Sequence, residues 1–157
     1  MLTHTDNDGK AQMVDISEKV SSKRTAKAKG FIRMNQKTLS LLNKGEHKKG
    51  DVLTVAKIAG IQAAKQTSYL IPLCHQIELT KVDIEFHIDK NNSVVECAVS
   101  ISCIGKTGVE MEALTSAATS LLTIYDMCKA VDKEMCIFDI ELHEKHGGKS
   151  GSWLKSN

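Results

Sequence analysis

Aromatic residues are scarce in this chain, where three Phe, two Tyr and one Trp make up 4% of 157 residues. Base-stacking recognition of single-stranded nucleic acid draws on aromatic platforms, so that class of function is disfavoured at the outset. Charge of one sign is missing too: 21 Lys and Arg against 19 Asp and Glu leave a net +2. A protein that tracks a nucleic-acid backbone carries a concentrated basic excess, so no nucleic-acid partner is expected and any anion site must be local. No apolar run approaches the roughly 20 residues that span a bilayer. The opening Met1-Leu2-Thr3-His4-Thr5-Asp6 lacks a basic segment followed by an apolar one, which predicts a cytoplasmic protein with no membrane partner. The five cysteines, Cys74, Cys97, Cys103, Cys128 and Cys136, are odd in number and contain no C-x-x-C pair. That argues against a disulfide framework and against a zinc knuckle, so the thiols are expected to be reduced and no metal or cofactor is predicted.

What is present is aliphatic: 41% of residues are hydrophobic, enough for one core built of Ile, Val, Leu, Ala and Met. Residues 1–29 are polar, with one apolar nucleus at Met13-Val14-Asp15-Ile16, and read as an irregular arm. Residues 30–146 read as a single domain and 147–157 as a Gly/Lys/Ser-rich tail. Within the domain, Phe31–Met34 reads as a short strand and Thr38–Leu42 as a short helix ended by Asn43-Lys44-Gly45. Asp51 is the N-cap of a second helix, in which Val52, Val55, Ala56, Ala59 and Ala63 recur at intervals of three and four. Val82, Ile84, Phe86 and Ile88 alternate with polar residues, and after the turn Asp89-Asn92 so do Val95, Cys97, Val99, Ile101 and Cys103. This is the pattern of a half-buried hairpin, with Cys97 and Cys103 on one face.

Gly105-Lys106-Thr107-Gly108 breaks the strand, and a helix over 109–129 carries a stripe through Leu114, Ala117, Ala118, Leu121, Tyr125 and Cys128. Phe138, Ile140 and Leu142 alternate in a last strand. The order strand, helix, strand, strand, helix, strand predicts an α+β chain of the ferredoxin-like βαββαβ type, an antiparallel sheet with helices on one face. The other face must also be dealt with, so self-association is expected.

Four places could carry chemistry. Lys129 lies four residues after Tyr125 and seven after Leu122, on the apolar side of the long helix, with Asp126 within reach. The pair is either a surface ion pair near a helix C-terminus or a Lys–Asp couple in a pocket, where burial and mutual charge set pKa values for acid–base work. Cys74-His75 follows Leu70-Ile71-Pro72-Leu73; an adjacent Cys and His without a second cluster is a weak metal signal, and a hydrogen-bonded structural histidine beside a packed thiol is the commoner case. His47-Lys48-Lys49-Gly50 precedes a helix N-terminus and suits a phosphate, or is a solvated charge run. Gly147-Gly148-Lys149-Ser150-Gly151 matches the end of a P-loop, but His143 stands where that motif needs Gly, and no helix follows. A Gly-rich tail with Lys145 and Lys149 can still close over an anion.

Taken together, Met13-Val14-Asp15, Lys49-Gly50-Asp51-Val52, Leu70–His75, Gly105–Thr115, Leu122–Val131 and Gly147–Gly151 resemble the cyclic pyranopterin monophosphate synthase family of molybdenum cofactor biosynthesis, over roughly residues 2–151. The resemblance implies a lyase that converts (8S)-3′,8-cyclo-7,8-dihydroguanosine 5′-triphosphate to cyclic pyranopterin monophosphate and diphosphate. It also implies a homohexamer, a trimer of dimers with active sites between subunits. Carried over by position, it makes Asp126 the acid–base residue, aided by Lys129 and Lys49. Leu73, Cys74, His75, Met111 and Glu112 would bind substrate, and Arg24, Lys19 and Lys145 would meet the triphosphate or complete the pocket. Gln76 follows His75 where the family usually has Pro, which frees one φ in that loop. The alternative is a binding module on the same scaffold, a nucleotide sensor or an RNA-binding domain. RNA is disfavoured because the strand 93–104 has no aromatic residue.

Overall fold

The computed structural model describes residues 4, 5, 8–43, 51–149 and 151–156. Its elements are β1 (Ser22–Arg33), α1 (Gln36–Asn43), α2 (Val52–Lys65), α3 (Thr67–Leu70), β2 (Leu79–Asp89), β3 (Val94–Gly105), α4 (Glu110–Cys128), β4 (Cys136–His146) and β5 (Trp153–Leu154). The strands form one sheet in the order β2-β3-β1-β4-β5, with every neighbouring pair antiparallel. Helices α2 and α4 pack on the sheet and on each other. This is the expected ferredoxin-like α+β arrangement, extended by β5 at one edge. No described helix is long and apolar enough to cross a membrane.

The core lies between sheet and helices. Ala26, Ala28 and Ile32 of β1 and Val95, Cys97, Val99, Ile101 and Cys103 of β3 are all buried on the helix side, as a period of two requires. Asp51 caps α2 as expected, its carboxylate accepting from the backbone N–H groups of Leu53 and Thr54. Small residues then bring α2 close to its neighbours. A Cβ on Gly60 would overlap Ser120 Oγ and come 2.7 Å from Ile84 Cδ1. The turn Asp89–Asn92 also forms as read, with Asp89 Oδ1 accepting from the N–H groups of Asn91 and Asn92.

Three expectations change. The first strand begins at Ser22, not Phe31, so residues 22–29 of the expected arm lie in the middle of the sheet, paired with β3 and β4. Alternating Lys and small residues hide the first part of this strand, because its inner face there carries Ala26, Ala28 and Gly30 and no large apolar side chain. In α4 the buried stripe runs through Ala113, Ser116, Ala117, Ser120, Leu121, Ile124 and Cys128. Leu114 and Tyr125 only flank it. In β4 the alternation does not continue. Register shifts against β1 accompany Asp139 at φ 48°, and the bulge changes the phase. Ile137 and Leu142 pack on the core. Phe138 turns to the opposite face, stacked on Phe31 at 5.5 Å with Arg33 over its ring. That face otherwise carries ion pairs, Lys27 with Glu144 and Lys29 with Glu96.

Candidate active site

The two β4 bulges matter for the site because together they slide Lys145 two residues along β1 while leaving it on the face of Ile137. Lys145 pairs with Ala26, an inward residue of β1, so it lies on the helix side at the end of the strand. Arg24, two residues before Ala26, shares that side and pairs with Cys103. Both side chains reach the N-terminal end of α4, where Lys145 Nζ lies 2.8 Å from Glu110 Oε1. Around them opens a cleft of about 860 Å³. It gathers the cations Lys19, Arg24, Lys106, Lys145 and Lys149 against the carboxylates Glu18 and Glu110. The start of α4, to which Val109 gives no side-chain cap, adds positive potential there. Local charge thus exceeds what the chain's +2 suggests, and a polyanion is the ligand such a cleft suits.

The arm closes one side. Ser17 donates from N and Oγ to Asp15 Oδ1, making a tight turn, and Lys106 Nζ donates to Ser17 O at 2.7 Å. These bonds, with smaller help from the charges of Lys106 and His75, hold the Asp15 carboxyl below its usual range. His75 therefore lies near the arm, in the loop between α3 and β2.

Behind the cleft, one helical turn into α4, Glu112 is 4% exposed. Burial pushes its carboxyl up to about 7, opposed by a hydrogen bond from its own backbone N–H and assisted by the charge of Glu110. Near neutrality such a carboxyl exists in both forms, so it can accept a hydrogen bond from a ring N–H or hand over a proton. Cys74 is half-buried beside it, and burial followed by the Glu112 charge raises the thiol pKa. This thiol is a packing and contact group and a poor nucleophile. Leu73 is half-buried in the same loop, and Met111 is 37% exposed next to Glu112.

Asp126 and Lys129 are elsewhere. They form an ion pair at 2.6 Å, with side chains 64% and 53% exposed. The hydrogen bond and then the charge of Asp126 raise the Lys129 pKa, so this lysine is an ammonium at neutral pH. The face they share with Leu122, itself 58% exposed, is not buried within this chain, contrary to its reading as the apolar side. Asp126 is fourteen residues from Glu112 along α4, about 21 Å at 1.5 Å per residue.

Arg24, Lys19 and Lys145 thus come together, with Cys74, His75, Met111 and Glu112 at the same end of α4, while Asp126 and Lys129 occupy the other end. Lys49 and its basic neighbours lie outside the described residues. Glu18, Lys106 and Glu110 are cleft residues that the sequence reading did not single out. The strand-breaking Gly105–Gly108 loop ahead of a helix is the signal that could have found the latter two. Among the described residues no three His, Cys, Asp or Glu side chains gather as a metal site would need.

The solution NMR structure of a de novo designed protein with a ferredoxin fold is similar at 14% identity and a TM-score of 0.40, covering 85% of this chain and 94% of that one. The MoaC family model matches residues 13–148, a span that includes the arm turn, the cleft apart from Lys149, the buried Glu112 and the Asp126–Lys129 pair. This chain belongs to the MoaC family and is an enzyme of molybdenum cofactor biosynthesis.

Proposed function

We propose that the chain is a cyclic pyranopterin monophosphate synthase, a phosphorus–oxygen lyase that takes (8S)-3′,8-cyclo-7,8-dihydroguanosine 5′-triphosphate to cyclic pyranopterin monophosphate and diphosphate. The observation that carries this reading is the cationic cleft with the buried Glu112 carboxyl, pushed up to about 7, at the same end of α4: the one suits a triphosphate, the other a purine-derived ring. Lys19, Arg24, Lys106 and Lys145 neutralise the phosphates and hold them in one geometry, so that the departing diphosphate leaves into positive potential. Glu112, with Leu73, Cys74, His75 and Met111 around it, receives the ring. Asp126 is the acid–base group, and Lys129, kept charged by it, stabilises negative charge that develops on oxygen; Lys49 joins them.

In one chain Asp126 and Lys129 are too far from the cleft to act on a ligand in it. The reading therefore includes an assembly, a homohexamer built as a trimer of dimers, in which the Asp126 end of one subunit completes the cleft of another.

The test is incubation of the purified protein with the cyclic dihydro-GTP triphosphate, following diphosphate and cyclic pyranopterin monophosphate together by chromatography. Equal release of both supports the lyase. Binding without turnover would make the protein a sensor. Asp126→Ala and Lys129→Ala alter exposed side chains, so both are expected to melt within a few degrees of the parent yet to lose at least about a hundredfold in turnover, as the loss of a general acid–base group does. Near-parental rates in both would remove that end of α4 from the active site.

A further inference from the structure

The tail after β4 turns back across the cleft through Gly147 and Gly148, at φ +102° and +76°, and Gly151 N–H donates to Gly148 O at 3.1 Å. The two glycines are needed for different reasons. A Cβ on Gly147 would overlap the backbone carbonyl of Lys23. On Gly148 it would overlap Nη1 of Arg24 and come 2.5 Å from Cζ and 3.0 Å from Nη2. On its other side the Arg24 guanidinium meets two carbonyls, with Nε 3.3 Å from Gly105 O and Nη2 3.4 Å from Lys106 O. Those carbonyls occupy two of the five N–H donors.

Building on the triphosphate reading of the cleft, we propose that Gly148 is a positioning residue for Arg24: its missing side chain lets the tail fold down on the guanidinium and hold it against the Gly105–Lys106 carbonyls, aimed into the cleft. A guanidinium set in advance loses little freedom when an anion arrives, and its planar fork is sensitive to tilt. The arrangement also links the tail to the loop ahead of α4 through one side chain.

A methyl group at 148 displaces the end of a flexible side chain and no backbone, so Gly148→Ala is expected to fold. Gly151 supplies the control. It has φ +66° with nothing within 4 Å of an added Cβ, so Gly151→Ala carries similar backbone strain without touching Arg24. The experiment is calorimetric titration of the full chain with sodium tripolyphosphate, for the parent, Gly148→Ala, Gly151→Ala, Arg24→Ala and the double variant Gly148→Ala/Arg24→Ala. Losing an aligned charge-assisted hydrogen bond corresponds to about a tenfold weakening, expected in both Gly148→Ala and Arg24→Ala. The double variant should bind no worse than Arg24→Ala, and Gly151→Ala should stay within about twofold of the parent. Multiplying losses in the double variant, or equal losses at 148 and 151, overturn the proposal. If Arg24→Ala binds like the parent, the triphosphate reading of the cleft falls as well. Should Gly148→Ala lack a native melting transition, Gly148→Asn repeats the test, because Asn tolerates a positive φ and still carries the Cβ.

Discussion

Glu112 concentrates the residue-scale chemistry. Its carboxyl is raised from an ordinary 4.5 to about 7. A group raised on folding contributes stability that is whole below the unfolded value and is lost as pH climbs through the folded one. Stability should therefore decline between about pH 4.5 and 7.5 and level off above. Glu112→Gln keeps the shape and removes the titration, so it should match the parent at pH 4.5 and exceed it at pH 8 by on the order of 3 kcal/mol. Urea melts at the two pH values check this, and an unchanged pH slope in the variant would refute it. The sequence placed Glu112 in the site by family likeness alone. Its burial depends on Cys74 and Cys103 coming against it from other elements, which no local pattern announces.

On the scale of elements, the close approach of α2 to α4 decides where both ends of the site sit. Gly60 meets Ser120 and Ser116 of α4 and Ile84 of β2. Alanine favours a helix over glycine by about 1 kcal/mol, but here the added methyl has no room. Gly60→Ala is expected to destabilise by about 1–3 kcal/mol, the range for overpacking a full core. Adding Ser120→Ala should recover part of that loss; denaturant midpoints of the single and double variants measure both. The three-and-four spacing of Val52, Ala56 and Ala63 already marked the buried side of α2 in the sequence. The strand over 22–29 was illegible for the opposite reason, since Ala and Gly on an inner face look like a linker until a helix is laid over them. β4 misled through its two bulges, each with one extra residue, which move the side chains between them, Leu142 included, to the other face.

For the molecule as a whole, the separation along α4 makes a prediction of its own. If the cleft of one subunit is completed by the Asp126 end of another, two inactive variants can repair each other. Arg24→Ala and Asp126→Ala, each inactive alone, should recover roughly a quarter of parental activity when co-assembled at equal ratio, since random pairing leaves that share of sites intact. Measured turnover after joint refolding checks this. No recovery, with mixed assemblies confirmed by mass, would put the whole site within one chain.

By itself the sequence determined the class of fold, the hairpin and its turn, the cap of α2, and through its motifs the family. These follow from local periodicity, turn chemistry and short-range spacing, which survive without knowledge of distant contacts. Only the tertiary structure decided that Arg24 and Lys145 converge with Lys106 in one cleft and that Glu112 is buried at the same end of α4. Those facts arise where strands 80–120 residues apart are laid side by side, and long-range pairing is set by how the whole chain buries its apolar faces.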